Sequence, residues 1–166
     1  MKNIHIEHPE DMILTGDLSV VELLYNFDQV SVKMDGAPAI VWGKDPATGT
    51  FFVGTKAVFN KKKIRIAHSH EEIDEHYAEE VADILHACFN FLPRTDSILQ
   101  GDFIGWGNDR TFTPNTITYS FPEFVTQKII IAPHTEYFAE NDLRDAVAKP
   151  FTELLEDNQK VKWVQP

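Results

Sequence analysis

The chain alternates short apolar runs with polar, turn-rich connections, and the hydrophobic period changes along it. Val21, Leu24 and Tyr25 share a helical face directly after Ser19-Val20-Val21-Glu22, which has the spacing of a capping box. A short helix is predicted over about 19–26. Apolar or β-branched runs follow at 30–34, 39–42 and 50–55, the last after the turn Asp45-Pro46-Ala47-Thr48-Gly49, and they read as strands. Connections this short predict antiparallel pairing. The period then lengthens. Ser69-His70-Glu71-Glu72 is a second capping box, and Ile73, Tyr77, Val81, Leu85, Cys88 and Leu92 recur three or four positions apart until Pro93. One continuous amphipathic helix of about five turns is predicted there. Further on, 97–105 reads as a strand, 106–115 as a loop, and 116–121 and 128–132 as strands. Asn141 can cap a helix running to about 155 that Pro150 kinks or breaks, and 160–164 reads as a last strand. The sum is an α+β domain, an antiparallel sheet core with about three helices.

Composition adds exclusions. The 166 residues suit a single domain spanning 1–166, with no second domain of the OB-fold type. With 43% hydrophobic residues, the chain can build a core without a disulfide or a metal. Cys88 is the only cysteine; it falls on the apolar helix face and reads as a buried thiol. The opening residues are charged and His-rich, and no apolar run approaches the ~18 residues of a membrane span, so a soluble, cytoplasmic protein is expected. The net charge of -11 argues against a general phosphate-binding surface. Lys56, Lys61, Lys62, Lys63 and Arg65 nevertheless crowd into ten positions, as a solvated loop or a local phosphate-attracting stripe. His5 with His8, and His68 with His70, lack any Cys or acid spacing that would complete a ligand set and read as surface histidines. Glu71, Glu72, Asp74, Glu75, Glu79 and Glu80 read as a solvated helix face, without EF-hand spacing. Neither a Walker loop nor a Rossmann fingerprint occurs.

The segment VSVKMDGAPAIV, residues 30–41, carries the strongest candidate chemistry. As a hairpin it explains Asp35 and Gly36 by turn geometry and leaves Lys33 and Pro38 without a role. As a chemical motif it uses all four residues. A neutral lysine amine can attack the α-phosphate of a nucleoside triphosphate, and burial with nearby cations would supply the neutral form. Gly36 would let the backbone approach the ligand.

Lys33-Met34-Asp35-Gly36, the strand end Val53-Gly54-Thr55-Lys56, the strand Leu99-Gln100-Gly101-Asp102-Phe103-Ile104 and the aromatic strand Thr116-Ile117-Thr118-Tyr119-Ser120-Phe121 follow in order. Together they resemble the adenylylation domain of the covalent nucleotidyltransferases: DNA ligases, RNA ligases and mRNA capping enzymes. The resemblance implies a ligase-like (ATP-grasp-like) nucleotidyltransferase fold. It also implies ATP, with GTP not excluded, together with Mg2+, and a nucleic-acid end as acceptor. Lys33 would accept the nucleotide, and Asp35 and Gly36 would shape its loop. Lys56 would stand where ligases place an arginine. Asp102 would replace the usual glutamate near the ribose or a metal. Tyr119 or Phe121 would stack on the purine, worth about 1–3 kcal/mol in comparable contacts. Lys160 and Lys162 would match the terminal Lys-x-Lys loosely. Pro38 stands where ligases commonly carry an arginine, and the Glu-Gly motif expected after the aromatic strand is absent. A narrower resemblance, over nearly the whole chain, links KMDGAPAIVWG, LQGDFIG, TFTPNTITYSFP and APHTEY to a group of tailed-phage proteins, which implies a phage-infected bacterial host. Chains of that group continue further, so this one is expected to be a short form or a fragment. The alternative reading is a non-catalytic phage accessory or nucleotide-binding protein on the same fold.

Overall fold

The structure is a computed structural model describing residues 8–28 and 31–165. Its main sheet follows from the alternation of apolar residues. In β1 (Ala39–Lys44), Ile40 and Trp42 turn to one face and Val41 to the other, as the two-residue strand period requires. β2 (Phe51–Gly54) and β3 (Ile98–Trp106) flank β1, and β6 (Ile129–Phe138) lies beyond β3. β7 (Val147–Pro150) completes the order β2-β1-β3-β6-β7. Every pair in that order is antiparallel. β8 (Val161–Trp163) departs from the rule, because it pairs with β6 in parallel. β3 is buried continuously from Ile98 to Ile104, as befits a central strand covered on both faces.

Two helices, α3 (His70–His76) and α4 (Glu79–Phe91), cover one face. Ile73, Ile84, Leu85 and Cys88 pack there on Ile40, Trp42, Val53, Leu99 and Ile131. The opposite face holds Val41, Phe52, Val58, Phe59 and Tyr137 under Leu143 and Ala146. A separate hairpin, β4 (Asp109–Phe112) with β5 (Tyr119–Val125), packs Phe112 and Val125 on Ile104 and Ile130. The α+β class and the antiparallel core therefore stand, with four α-helices rather than three among the described residues.

Several expected elements differ. The long helix is broken at Tyr77, whose backbone is extended and whose hydroxyl donates to the Arg65 carbonyl (2.6 Å) and accepts from Thr55 N–H (3.2 Å). Leaving the helix lets this buried side chain satisfy its hydroxyl and dock the 55–65 loop. The helix expected over 141–155 does not form. A single 3-10 turn, Leu143–Asp145, is capped by Asp142. After Ala146, the four residues of β7 pair with β6 in a ladder that outweighs the local helical pattern. Pro150 ends that edge strand, where its missing N–H costs nothing. Residues 31–36 form no strand, Val32 is 81% exposed, and residue 30 lies outside the described residues. The expected loop 106–115 contains β4. The helices α1 (Pro9–Leu14) and α2 (Ser19–Tyr25) precede the sheet. α1 was readable in principle, since Pro9 at its first turn with Glu10 and Asp11 beside it is a helix-start pattern. Among the described residues no helix is long and apolar enough to cross a membrane.

Candidate functional site

The lysine segment is stitched to the central strand. Ala37 N–H donates to the Phe103 carbonyl (3.1 Å) and Phe103 N–H donates to the Pro38 carbonyl (3.0 Å), so the β1–β3 ladder continues upstream of Ala39. Gly36 is a glycine because of space. It is absent from the glycines with positive φ, and a Cβ there would lie 2.9 Å from the Phe103 carbonyl carbon and 3.0 Å from Ile104 Cδ1. The close neighbour of that missing side chain is β3, and the described residues 31–33 form no strand, which removes the hairpin reading.

This stitching sets Lys33 against Asp102. Asp102 Oδ2 accepts from Gly36 N–H (3.3 Å) and from Lys33 Nζ (3.5 Å), and Lys33 Nζ also donates to Asp35 Oδ1 (2.9 Å). On its other oxygen, Asp102 faces His134 Nε2 at 3.3 Å. His134 reaches this position through a β-bulge. Gln100 pairs with Thr135 but Gly101 pairs with Pro133, which leaves His134 as the extra residue on β6. The Tyr137 hydroxyl donates to Gln100 Oε1 (2.7 Å) in the wall behind. Lys56 enters from a 3-10 turn, Lys56–Phe59, capped by Thr55, and among the described residues it makes no ion pair.

Lys33, Asp35, Gly36, Lys56 and Asp102 thus line one cleft of about 530 Å³, with His134, Gln100 and Tyr137 among the other walls. That volume lies in the range of small-molecule sites. Two other hollows are larger, about 700 Å³ along Phe138–Val147 and about 580 Å³ between Phe121–Gln127 and Asp157–Gln165. The first holds no lysine, and the amine of the second, Lys162, is held by its neighbour Asp157, whereas this cleft gathers two lysines with Asp35 and Asp102.

Four expected residues lie elsewhere. Tyr119 does not line the cleft; its hydroxyl accepts from Asp35 N–H (2.8 Å) and donates to the Asp35 carbonyl (3.2 Å), so it clamps the lysine loop. Phe121 packs edge-on against Phe112. Lys162 is paired with Asp157 (2.8 Å) in the 580 Å³ groove, and the Lys160 amine lies over the Phe91 ring. The aromatic rings in the cleft wall are instead His8, His134 and Tyr137. APHTEY carries no motif that marks His134; only the bulge register does so.

The electrostatics reverse one expectation. Burial pulls the Lys33 amine down, but hydrogen bonds and charge from Asp35 and Asp102 outweigh it and hold its pKa above the ordinary lysine value. The amine is therefore more firmly cationic than a free lysine, not neutral. Burial pushes Asp102 up, yet His134, Lys33 and Gly36 N–H together bring its carboxyl below the usual value. A resident metal cage is not built here, since among the described residues no group of three or more His, Cys, Asp or Glu could hold an ion. Two carboxylates do suit Mg2+ arriving on a nucleotide, because that ion keeps water and phosphate oxygens as its other ligands.

Fold and cleft together define an α+β protein with a lysine-carboxylate cleft at its central strand. The chain belongs to a family of unknown function, DUF6267, whose model matches residues 3–166. No curated protein and no solved structure matches it.

Proposed function

We propose that the protein is an ATP-dependent, ligase-like nucleotidyltransferase in which Lys33 carries the nucleotide, with a nucleic-acid end as the next acceptor. The observation that supports it most is the convergence on one nucleotide-sized cleft of Lys33 and Asp102, 69 positions apart, with Lys56 from a third segment. Lys33 Nζ first loses a proton, which the adjoining Asp35 or Asp102 carboxylate passes to water. The amine then attacks the α-phosphorus. A nitrogen–phosphorus bond forms, the bond from the α-phosphorus to the bridging oxygen breaks, and pyrophosphate leaves. Lys56, which makes no ion pair among the described residues, meets the phosphates. Asp102, tethered by His134 and Gly36, holds the amine in line. Mg2+ bound with the nucleotide, held by Asp35 and Asp102, would neutralise phosphate charge.

A second reading, a phage accessory or nucleotide-binding protein without catalysis, is favoured by the raised pKa of Lys33 and by the absence of Tyr119 and Phe121 from the cleft. One experiment separates the two. The protein is incubated with α-labelled ATP or GTP and Mg2+, denatured, and assayed for acid-labile label, beside Lys33→Ala. Label that the variant loses supports transfer. Nucleotide-dependent thermal stabilisation without label supports binding alone. Neither label nor stabilisation sinks both readings.

A further inference from the structure

His70 and His86 meet across the α3–α4 interface in a way that the cleft does not use. His86 Nε2 lies 2.8 Å from Asp74 Oδ1, and His70 Nε2 lies 3.0 Å from Asn90 Oδ1. An ionised aspartate only accepts, so the His86 ring proton sits on Nε2 and its Nδ1 carries a lone pair. With Asn90 presenting its oxygen, His70 is in the same tautomer. The two Nδ1 atoms are 2.7 Å apart, and the ring centroids are 4.9 Å apart with planes 26° from parallel, so the rings meet head-on through these atoms. Two lone pairs pointed at each other repel unless a cation lies between them. An imidazole whose outer N–H is fixed by a carboxylate or amide oxygen is the arrangement found behind metal-ligating histidines.

We propose that His70 and His86 are the two protein ligands of a divalent transition-metal site of the zinc class, with water completing the coordination. Nitrogen-only donors suit zinc, nickel or copper rather than magnesium or calcium. Two imidazoles on a tetrahedral ion at 2.0–2.1 Å place their nitrogens about 3.4 Å apart, so the rings must part by roughly 0.7 Å from the metal-free separation. His86 is only partly buried, 27% exposed, and side-chain rotation supplies that movement. The site has two side-chain ligands, consistent with no larger His, Cys, Asp or Glu group among the described residues. It therefore keeps open positions. No spacing in the chain marks it, because the two histidines stand 16 positions apart on different helices.

The test is calorimetric titration of the full chain with zinc chloride, beside His70→Asn, His86→Asn and Asp74→Asn. One zinc per chain is expected, weakened more than tenfold by either histidine change and by about tenfold or more by Asp74→Asn, which frees the ring behind the metal. Absence of zinc binding, or binding that both histidine variants retain unchanged, overturns the proposal and leaves a hydrogen bond between rings. Should the variants misfold, copper(II) titrated into the unaltered chain gives a paramagnetic resonance signal that counts coordinated nitrogens. Two support the site, and one or none overturns it.

Discussion

Gly36→Ala is the sharpest probe of how the lysine loop is held. The added methyl would collide with backbone: the Phe103 carbonyl group, whose carbon would lie 2.9 Å away, with Ile104 Cδ1 at 3.0 Å. Central strand β3 cannot yield, because it is paired on both sides and buried. The loop must lift instead. Lifting it breaks the Ala37–Phe103 hydrogen bond and the Gly36–Asp102 contact. Two hydrogen bonds at roughly 1 kcal/mol each and an overpacking cost of about 1–3 kcal/mol give a loss of about 3–5 kcal/mol. At about 2–4 °C per kcal/mol for a domain of this size, the melting temperature should fall by roughly 6–20 °C. Urea unfolding supplies the free energy, and calorimetry the midpoint. Gly49→Ala is the contrast: nothing lies within 4 Å of its Cβ, but its φ of 72° makes the cost purely conformational. If Gly36→Ala unfolds within about 0.5 kcal/mol of the parent, the loop is not pinned to β3 and the geometry of the lysine cleft is wrong.

Four further outcomes are expected. Asp102 has a lowered pKa in the folded chain, so its contribution to stability is full above the ordinary carboxylate value of 3.8 and fades as pH falls through the lower folded value; Asp102→Asn should flatten the acid limb of a stability–pH curve. Lys33, being raised, contributes fully below 10.5 and loses its contribution as pH climbs through its higher folded value, so Lys33→Met should flatten the alkaline limb. Ser69→Ala removes the oxygen that accepts from Glu72 N–H (3.2 Å) and should cost about 1 kcal/mol in urea unfolding. Burial pushes the Cys88 thiol far up, so a thiol reagent should modify it only as fast as the chain opens, and a burst of labelling in native buffer would contradict its placement beneath α4.

Much of the sheet was legible because its strands are locally coherent. Residues 39–42 carry an unbroken apolar run and 97–105 pairs of apolar residues around Gln100 and Asp102, and both became strands; β2 sits beside β1 where the short connection puts it. The failures share a cause. At 141–155 a plausible cap and a helical pattern lose to pairing with β6, which no local window contains. At Tyr77 the helix stops for a hydroxyl whose partners, Thr55 and Arg65, lie 22 and 12 positions away. In both places a long-range hydrogen bond decides, and propensity is a weak prior against it.

The cleft divides along the same line. Lys33, Asp35 and Gly36 stand together in one motif, and Asp102 follows a glycine on a strong strand, so residue type and order were enough to nominate them. Charge state is another matter, since it depends on which groups meet. Two lysines and two aspartates line the cleft, so these four side chains offer a triphosphate no net positive charge. Asp35 and Asp102 compete with any phosphate for Lys33, while among the described residues Lys56 meets no such competitor. In the proposed reaction the first contact of an incoming nucleotide would then fall to Lys56. Lys33 would be released for attack only when something else, a magnesium ion carried on the phosphates or a proton moved to solvent, satisfied the two carboxylates that hold it.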